Sequence, residues 1–256
     1  MTIALPARAK LNLDLAVLRR RDDGYHDIRT TLQAIDLHDL VTLTPAQETT
    51  LTITGLPVKN TKDNTILKAH ALLEQATKKK LPTEIHLHKN IPAGAGMGGA
   101  SSDAATALRG LAAIHHVNAD LHGIASQIGS DVPFFLIGGT AIADQRGDHL
   151  TPVPTNPQWF AIAWPGIELL TPDVYRAWDT VPGKISEAMP NQLTEAALTV
   201  EPNLREFAKS LGPTWRMTGS GSAYFCHCAD EASARNITAG LKCWTAVAQA
   251  VGPWGE

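Results

Sequence analysis

Gly94, Gly96, Gly98 and Gly99 put four glycines within six residues, just ahead of an alanine-rich run that opens at Ser101-Ser102-Asp103. Glycines there let the backbone curl and approach a ligand, and a helix start adds unpaired N–H groups and a positive dipole end. Those are the requirements of a phosphate cradle; a glycine-rich connection with Ser101 or Ser102 as a plain N-cap would use the same residues. No lysine follows the glycines, which excludes a Walker A loop. Gly94-x-Gly96-x-x-Gly99 fits the dinucleotide fingerprint in form, yet the acid some twenty residues on, Asp120, falls at a helix start and not at a strand end. No His-Arg-Asp or Asp-Phe-Gly segment exists, so protein-kinase chemistry is excluded as well.

Other residues could complete a reaction centre. In Ala9-Lys10-Leu11-Asn12-Leu13-Asp14-Leu15 the leucines share one strand face and Lys10, Asn12 and Asp14 the other. A lysine inside an otherwise apolar strand needs a partner. Asp131 precedes Val132-Pro133, where it is equally a proton acceptor or the cap of a short helix. Tyr25 and His26 follow the turn signal Asp22-Asp23-Gly24, and Gly219-Ser220-Gly221 reads as another turn. Cys226-His227-Cys228 invites a zinc reading, but alternation separates His227 from the cysteines and no second ligand pair exists.

The elements that must hold these residues follow from periodicity. Strands are expected over Ile35 to Thr44, with a break near His38-Asp39, and over Glu84 to His88, Thr140 to Ala143, Trp159 to Trp164, Ala223 to Cys228 and Trp244 to Ala248. Helices are expected from Asn64, from about Ser101 with Leu108, Leu111 and Ile114 on one side, and from Asn118 to near Gly129. Further helices are expected near Asp173 to Trp178, Asn191 to Leu198 and Asn203 to Leu211, and from Asp230. Strands and helices without strict alternation predict an α+β fold. Pro152, Pro154 and Pro157 place a lobe boundary there, giving lobes 1–152 and 153–256.

Composition bounds the function classes. With 22 Lys+Arg against 25 Asp+Glu the formal charge is −3, which argues against a nucleic-acid partner. Hydrophobic residues make up 44% and charged residues 18%, an ordinary globular balance that excludes a disordered chain. No run of about eighteen apolar residues could span a membrane, and three cysteines are too few for a disulfide framework, so a cytoplasmic enzyme or binding protein is expected.

The segment Pro92-Ala-Gly-Ala-Gly-Met-Gly-Gly-Ala-Ser-Ser-Asp103 resembles the phosphate-binding loop of the GHMP kinases. Pro6-Ala-Arg-Ala-Lys10-Leu-Asn12, Asp23-Gly-Tyr-His26, Gly129-Ser-Asp-Val-Pro133-Phe-Phe and Met217-Thr-Gly-Ser-Gly-Ser222, in that order, resemble the branch acting on a methylerythritol carried by a cytidine diphosphate. The resemblance implies a two-lobe GHMP kinase fold, with a ribosomal protein S5 domain 2-like first lobe, a ferredoxin-like second lobe, and ATP and the cytidine nucleotide meeting at the cleft. It implies phosphorylation of the 2-hydroxyl, giving the 2-phosphate and ADP, in the non-mevalonate route to isoprenoid precursors. Lys10 and Asp131 match the catalytic pair, the cation keeping the carboxylate ionised. Asn64, Pro92, Gly94, Gly96, Met97, Gly98, Gly99, Ser101 and Ser102 match the ATP site, with Asp63-Asn64 opening a helix beside adenine. Asn12, Tyr25, His26, Thr171, Tyr175 and Gly219 match the acceptor site, Tyr25 and Tyr175 taking the faces of the cytosine. Mg²⁺ is expected with the ATP phosphates, its ligands undetermined. Two segments depart from the family form: Gly-Arg-Gly-Glu is Gln145-Arg146-Gly147-Asp148, and Asn-Asp-Leu-Glu is Asn191-Gln-Leu-Thr194.

Overall fold

A computed structural model describes residues 1–58, 64–181 and 189–255; Asp63 lies outside them. The strands are β1 (Ile3–Asn12), β2 (Ala16–Arg20), β3 (His26–Pro45), β4 (Thr50–Gly55), β5 (Thr83–Lys89), β6 (Thr140–Gln145), β7 (His149–Val153), β8 (Trp159–Trp164), β9 (Arg216–Met217), β10 (Tyr224–Cys228) and β11 (Trp244–Gln249). The helices are α1 (Thr65–Thr77), α2 (Gly99–Ile114), α3 (Leu121–Ile128), α4 (Val132–Ile137), α5 (Thr171–Trp178), α6 (Thr194–Val200), α7 (Asn203–Leu211) and α8 (Glu231–Ala239). The α+β expectation is borne out.

The chain divides into two compact units. One comprises Met1–Ala9, His38–Ala93 and Gly98–Gly138; the other comprises Lys10–Leu37, Gly94–Met97 and Gly139–Glu256.

In the first unit, Leu40–Pro45 of β3 pairs antiparallel with β5, and β4 runs parallel along the other edge of β5. Ile85 and Leu87 face inward by simple alternation, and Lys89 shares their parity. Helix α2 meets the strands at Gly110, where a Cβ would lie 2.3 Å from Leu43 Cδ1 and 3.1 Å from Leu5 Cδ1. Glycine costs about 1 kcal/mol in a helix interior, and here it permits that close approach. Around α2 pack α1, α3 and α4, burying Ile66, Leu73, Leu108, Leu111 and Phe134. Each such side chain contributes about 1.5–3 kcal/mol on burial.

In the second unit, Ile28–Gln33 of β3 pairs with β6, and β7 covers the far side of β6. Pro152 falls in β7 opposite Ala141, a place open to proline because an edge strand has one side without ladder bonds. A separate antiparallel sheet has the order β11-β8-β10-β9. With α5 to α7 between β8 and β9, and α8 between β10 and β11, this is the β-α-β-β-α-β arrangement of ferredoxin-like folds.

Several boundaries differ from expectation. β3 runs unbroken through His38-Asp39, because the Asp39 carboxylate is fully paired inside the protein. Asp120, not Asn118, caps α3, accepting a hydrogen bond from the Gly123 N–H at 2.9 Å. Helix α6 begins at Thr194, since Asn191 is drawn into side-chain bonds that precede the helix. The first fifty-odd residues alternate like strands, but the pattern does not delimit β2 and β4, because the arginines of β2 and the threonines of β4 dilute the apolar alternation.

Candidate active site

Lys10 is 4% exposed at the end of β1. Its ammonium donates to Gly96 O at 2.8 Å and to Asn12 Oδ1 at 2.5 Å, and its backbone N–H donates to Met97 O at 3.0 Å. Asn12 is held in turn: its Nδ2 donates to Thr30 Oγ1 at 2.8 Å and its backbone N–H to Thr218 Oγ1 at 2.9 Å. The parity of the strand thus places Lys10 and Asn12 together, and the partner that the lysine needs is the glycine loop itself.

Two glycines are required here by space. At Gly96 (φ +78°) a Cβ would lie 2.3 Å from Thr218 O; at Gly219 (φ +55°) it would meet Asn12 Oδ1 at 3.0 Å and Lys10 Nζ at 3.2 Å. Asn191, buried and not singled out from the sequence as a site residue, donates from Nδ2 to both Met217 O and Gly219 O at 2.8 Å, so it sets the turn that faces Lys10. Gln192 Oε1 accepts from Val17 N–H at 2.8 Å. The changed Asn191–Thr194 segment therefore remains a built piece of structure without its family acids. Gly94 packs against Glu168, where a Cβ would lie 2.8 Å from the Glu168 Cβ.

The aromatic group lies in the same unit. His26, 7% exposed, has its Nε2 2.7 Å from Asp179 Oδ1. Its ring stacks on Tyr175 at 5.0 Å and 22° and meets Trp178 edge-on at 5.3 Å. Tyr25 is 57% exposed, with the Arg146 guanidinium 5.2 Å from its ring centroid. Arg146 is itself oriented by Asp148 at 2.7 Å. Thr171 at the start of α5 shares a hydrogen bond of 2.9 Å with Ser220.

The first unit holds the other residues singled out from the sequence. Helix α2 opens at Gly99, two residues before the expected Ser101, with Gly98 (φ +72°) at its N-cap and no side-chain cap. Ser102 is consequently inside the helix and buried, and its hydroxyl has no hydrogen-bond partner among the described residues. Pro92 is buried at the head of the loop and Ser101 is half-buried on the first turn. Asn64 caps α1, its Oδ1 accepting from Ile66 N–H at 2.9 Å, and Thr65 Oγ1 ties α1 to Ala100 O at 2.7 Å. Asp131 stands at the N-cap of α4, but its side chain makes no capping hydrogen bond.

Beneath the start of α2 lies a buried cluster that the sequence reading did not identify. Lys89 pairs with Asp39 and, at 2.7 Å, with Asp103. Its signal was available: a lysine at the inward parity of β5. Desolvation, with Asp39 as a like-charged neighbour, pushes the Asp103 carboxyl up to about 8 against the pull of Lys89. The folded protein then binds a proton at Asp103 that the unfolded chain, near 3.8, has already released. This contribution to stability is fully present below the unfolded value and is lost as pH rises towards about 8. Urea unfolding between pH 5 and 9 is expected to show the decline, and Asp103→Asn to flatten it; an unchanged slope in the variant would assign the decline to other groups.

Residues 64–139 match the GHMP kinases N terminal domain. The fold agrees with solved GHMP kinases: Methanococcus jannaschii mevalonate kinase aligns with TM-score 0.67 at 11% identity, over 98% of each chain. A closer resemblance is to a crystal structure of 4-(cytidine 5'-diphospho)-2C-methyl-D-erythritol kinase, with TM-score 0.81 and 33% identity over 98% of this chain and all of that one. Among sequence relatives, the 4-diphosphocytidyl-2-C-methyl-D-erythritol kinase of Exiguobacterium sibiricum is 35% identical over 94% of both chains, and that of Xanthomonas axonopodis pv. citri is 36% identical over 95% of this chain and 89% of its own. The chain belongs to the 4-diphosphocytidyl-2-C-methyl-D-erythritol kinase family.

Proposed function

We propose that the protein transfers the γ-phosphoryl group of ATP to the 2-hydroxyl of 4-diphosphocytidyl-2-C-methyl-D-erythritol, giving the 2-phosphate and ADP, in the non-mevalonate route to isoprenoid precursors. The observation that carries this reading is near full-length similarity to enzymes of that name in both sequence and structure. The buried Lys10 held on the glycine loop supports it.

Phosphoryl transfer has a loose transition state, so the protein works by alignment and charge stabilisation. In this reading Asp131 orients the acceptor hydroxyl and takes its proton late in the transfer, and Lys10 stabilises charge developing on the phosphoryl oxygens. The loop glycines Gly94, Gly96 and Gly98, with Met97, Gly99, Ser101 and Ser102, cradle the phosphates, while Pro92 shapes the loop and Asn64 borders the adenine. Among the described residues no cluster of three or more His, Cys, Asp or Glu could hold a metal by itself. The unpartnered Ser102 hydroxyl fits Mg²⁺ arriving with the nucleotide, and the ion would neutralise phosphate charge.

Asn12, Thr171 and Gly219 line the acceptor side, and the base is read by Tyr25, His26 and Tyr175. His26 Nε2 lies 2.7 Å from Asp179 Oδ1, and in the tautomer that donates this bond Nδ1 is left to accept from the exocyclic amine of cytosine. Stacking on a tyrosine contributes about 1–3 kcal/mol per base. Tyr25→Ala and His26→Ala are each expected to raise KM for the cytidine substrate at least about tenfold and to move KM for ATP less than about twofold. Equal losses for both substrates would place the base elsewhere.

Lobes at 1–152 and 153–256 remain part of this reading, the ferredoxin-like sheet beginning at Trp159. No described helix is long and apolar enough to cross a membrane, which is consistent with the proposed cytoplasmic location. An ADP-release assay over a panel of acceptor alcohols tests the function: turnover with the cytidine substrate alone is expected, and preference for another alcohol would reassign the chain within the GHMP kinases.

A further inference from the structure

Asp39, Lys89 and Asp103 are all buried, at 0%, 5% and 3% exposure. A buried ion cluster is a weak source of stability, since desolvation offsets much of the attraction, but it fixes geometry. What it fixes here are the two ends of the glycine loop. At the entrance, Asp39 Oδ1 accepts the backbone N–H groups of Asn90 at 2.6 Å and Ile91 at 2.8 Å, the residues leading into Pro92. At the exit, Asp103 lies just past the first turn of α2 and accepts from Lys89 Nζ. One ammonium therefore joins both ends. Gly99 belongs to the same arrangement: a Cβ there would lie 3.1 Å from Ile91 Cγ2 and 3.3 Å from Lys89 Nζ, so its glycine character serves the approach of this cluster.

We infer that Asp103 is a positioning residue for the ATP loop, acting through Lys89 to hold the N-terminal part of α2 against the loop entrance. This rests on the reading of that loop as the ATP site. Cutting the tie at Asp103 leaves Lys89 and Asp39 as a balanced pair, so the fold should survive, where loss of Lys89 would strand the buried Asp39 carboxylate.

Steady-state kinetics with ATP and the cytidine substrate varied in turn, beside thermal unfolding, test the inference. Asp103→Ala is expected to raise KM for ATP about five- to tenfold and to leave KM for the cytidine substrate within about twofold. Asp103→Asn, which keeps an oxygen for Lys89, is expected to restore the ATP value. An unchanged KM for ATP, equal rises for both substrates, or no rescue by Asn would overturn it. If Asp103→Ala does not fold, Asp103→Leu fills the volume and carries the same test. Gly98→Val separates this inference from the reading beneath it. If Gly98→Val weakens ATP and Asp103→Ala does not, only the positioning role falls; if neither does, the loop is not the ATP site.

Discussion

Asp131→Asn is expected to lower turnover by about three orders of magnitude, near the middle of the range for removal of a general base. The substitution is isosteric and takes away only the ability to accept a proton. The helix end should keep its place, because the amide fills the same space and Val132-Pro133 already suits a first helical turn. Both substrates should therefore bind with about their normal affinities, measurable by calorimetry with ADP and the cytidine substrate. Near-normal turnover would remove Asp131 from the chemistry and leave it a helix-end residue. A large loss of stability with the same fall in rate would also count against the proposal, since the rate would then report folding.

Lys10→Met is expected to lower kcat by about 10²–10³-fold, the usual effect of deleting a charge that stabilises the transition state. Its structural cost should be larger than that of Asp131→Asn. Gly96 O and Asn12 Oδ1 both lose their donor, and a buried acceptor left without one costs about 1–3 kcal/mol. Assays should therefore run well below the midpoint of thermal unfolding, recorded for each variant. Lys10→Arg is not expected to rescue. The planar guanidinium is broader than an ammonium, and Gly219 stands so close that even a methyl group on it would lie 3.2 Å from Nζ. Full activity in Lys10→Arg would mean that a diffuse positive charge suffices and that the close packing of Gly219 is irrelevant to catalysis.

Much of this site was legible in the sequence because its signals are local. The Lys10 and Asn12 parity, the loop glycines and the Asn64 cap each depend on neighbours within a few residues, and the structure keeps them: Lys10 bonds Asn12, and Asn64 caps α1. The sequence pattern predicts the start of α2 two residues late because Ser101 and Ser102 are good N-caps in isolation, whereas Gly98 in the left-handed region begins the helix earlier and draws Ser102 inside. Tyr175 was expected to face the base. Its ring also stacks on His26, a contact between residues far apart in the chain that no local pattern announces.

By itself, then, the sequence determined the α+β class, the kinase resemblance and the residues that carry charge and acid–base chemistry, since these follow from short-range spacing and residue type. Tertiary structure alone decided what each polar group pairs with. It set Lys10 on the Gly96 carbonyl, Asn191 on the Gly219 turn, His26 on Asp179, and Lys89 between Asp39 and Asp103. The physical reason is burial. A polar group removed from water must find a partner, and that partner comes from whichever segment the fold brings alongside, 86 residues away for Lys10 and Gly96 and 153 for His26 and Asp179.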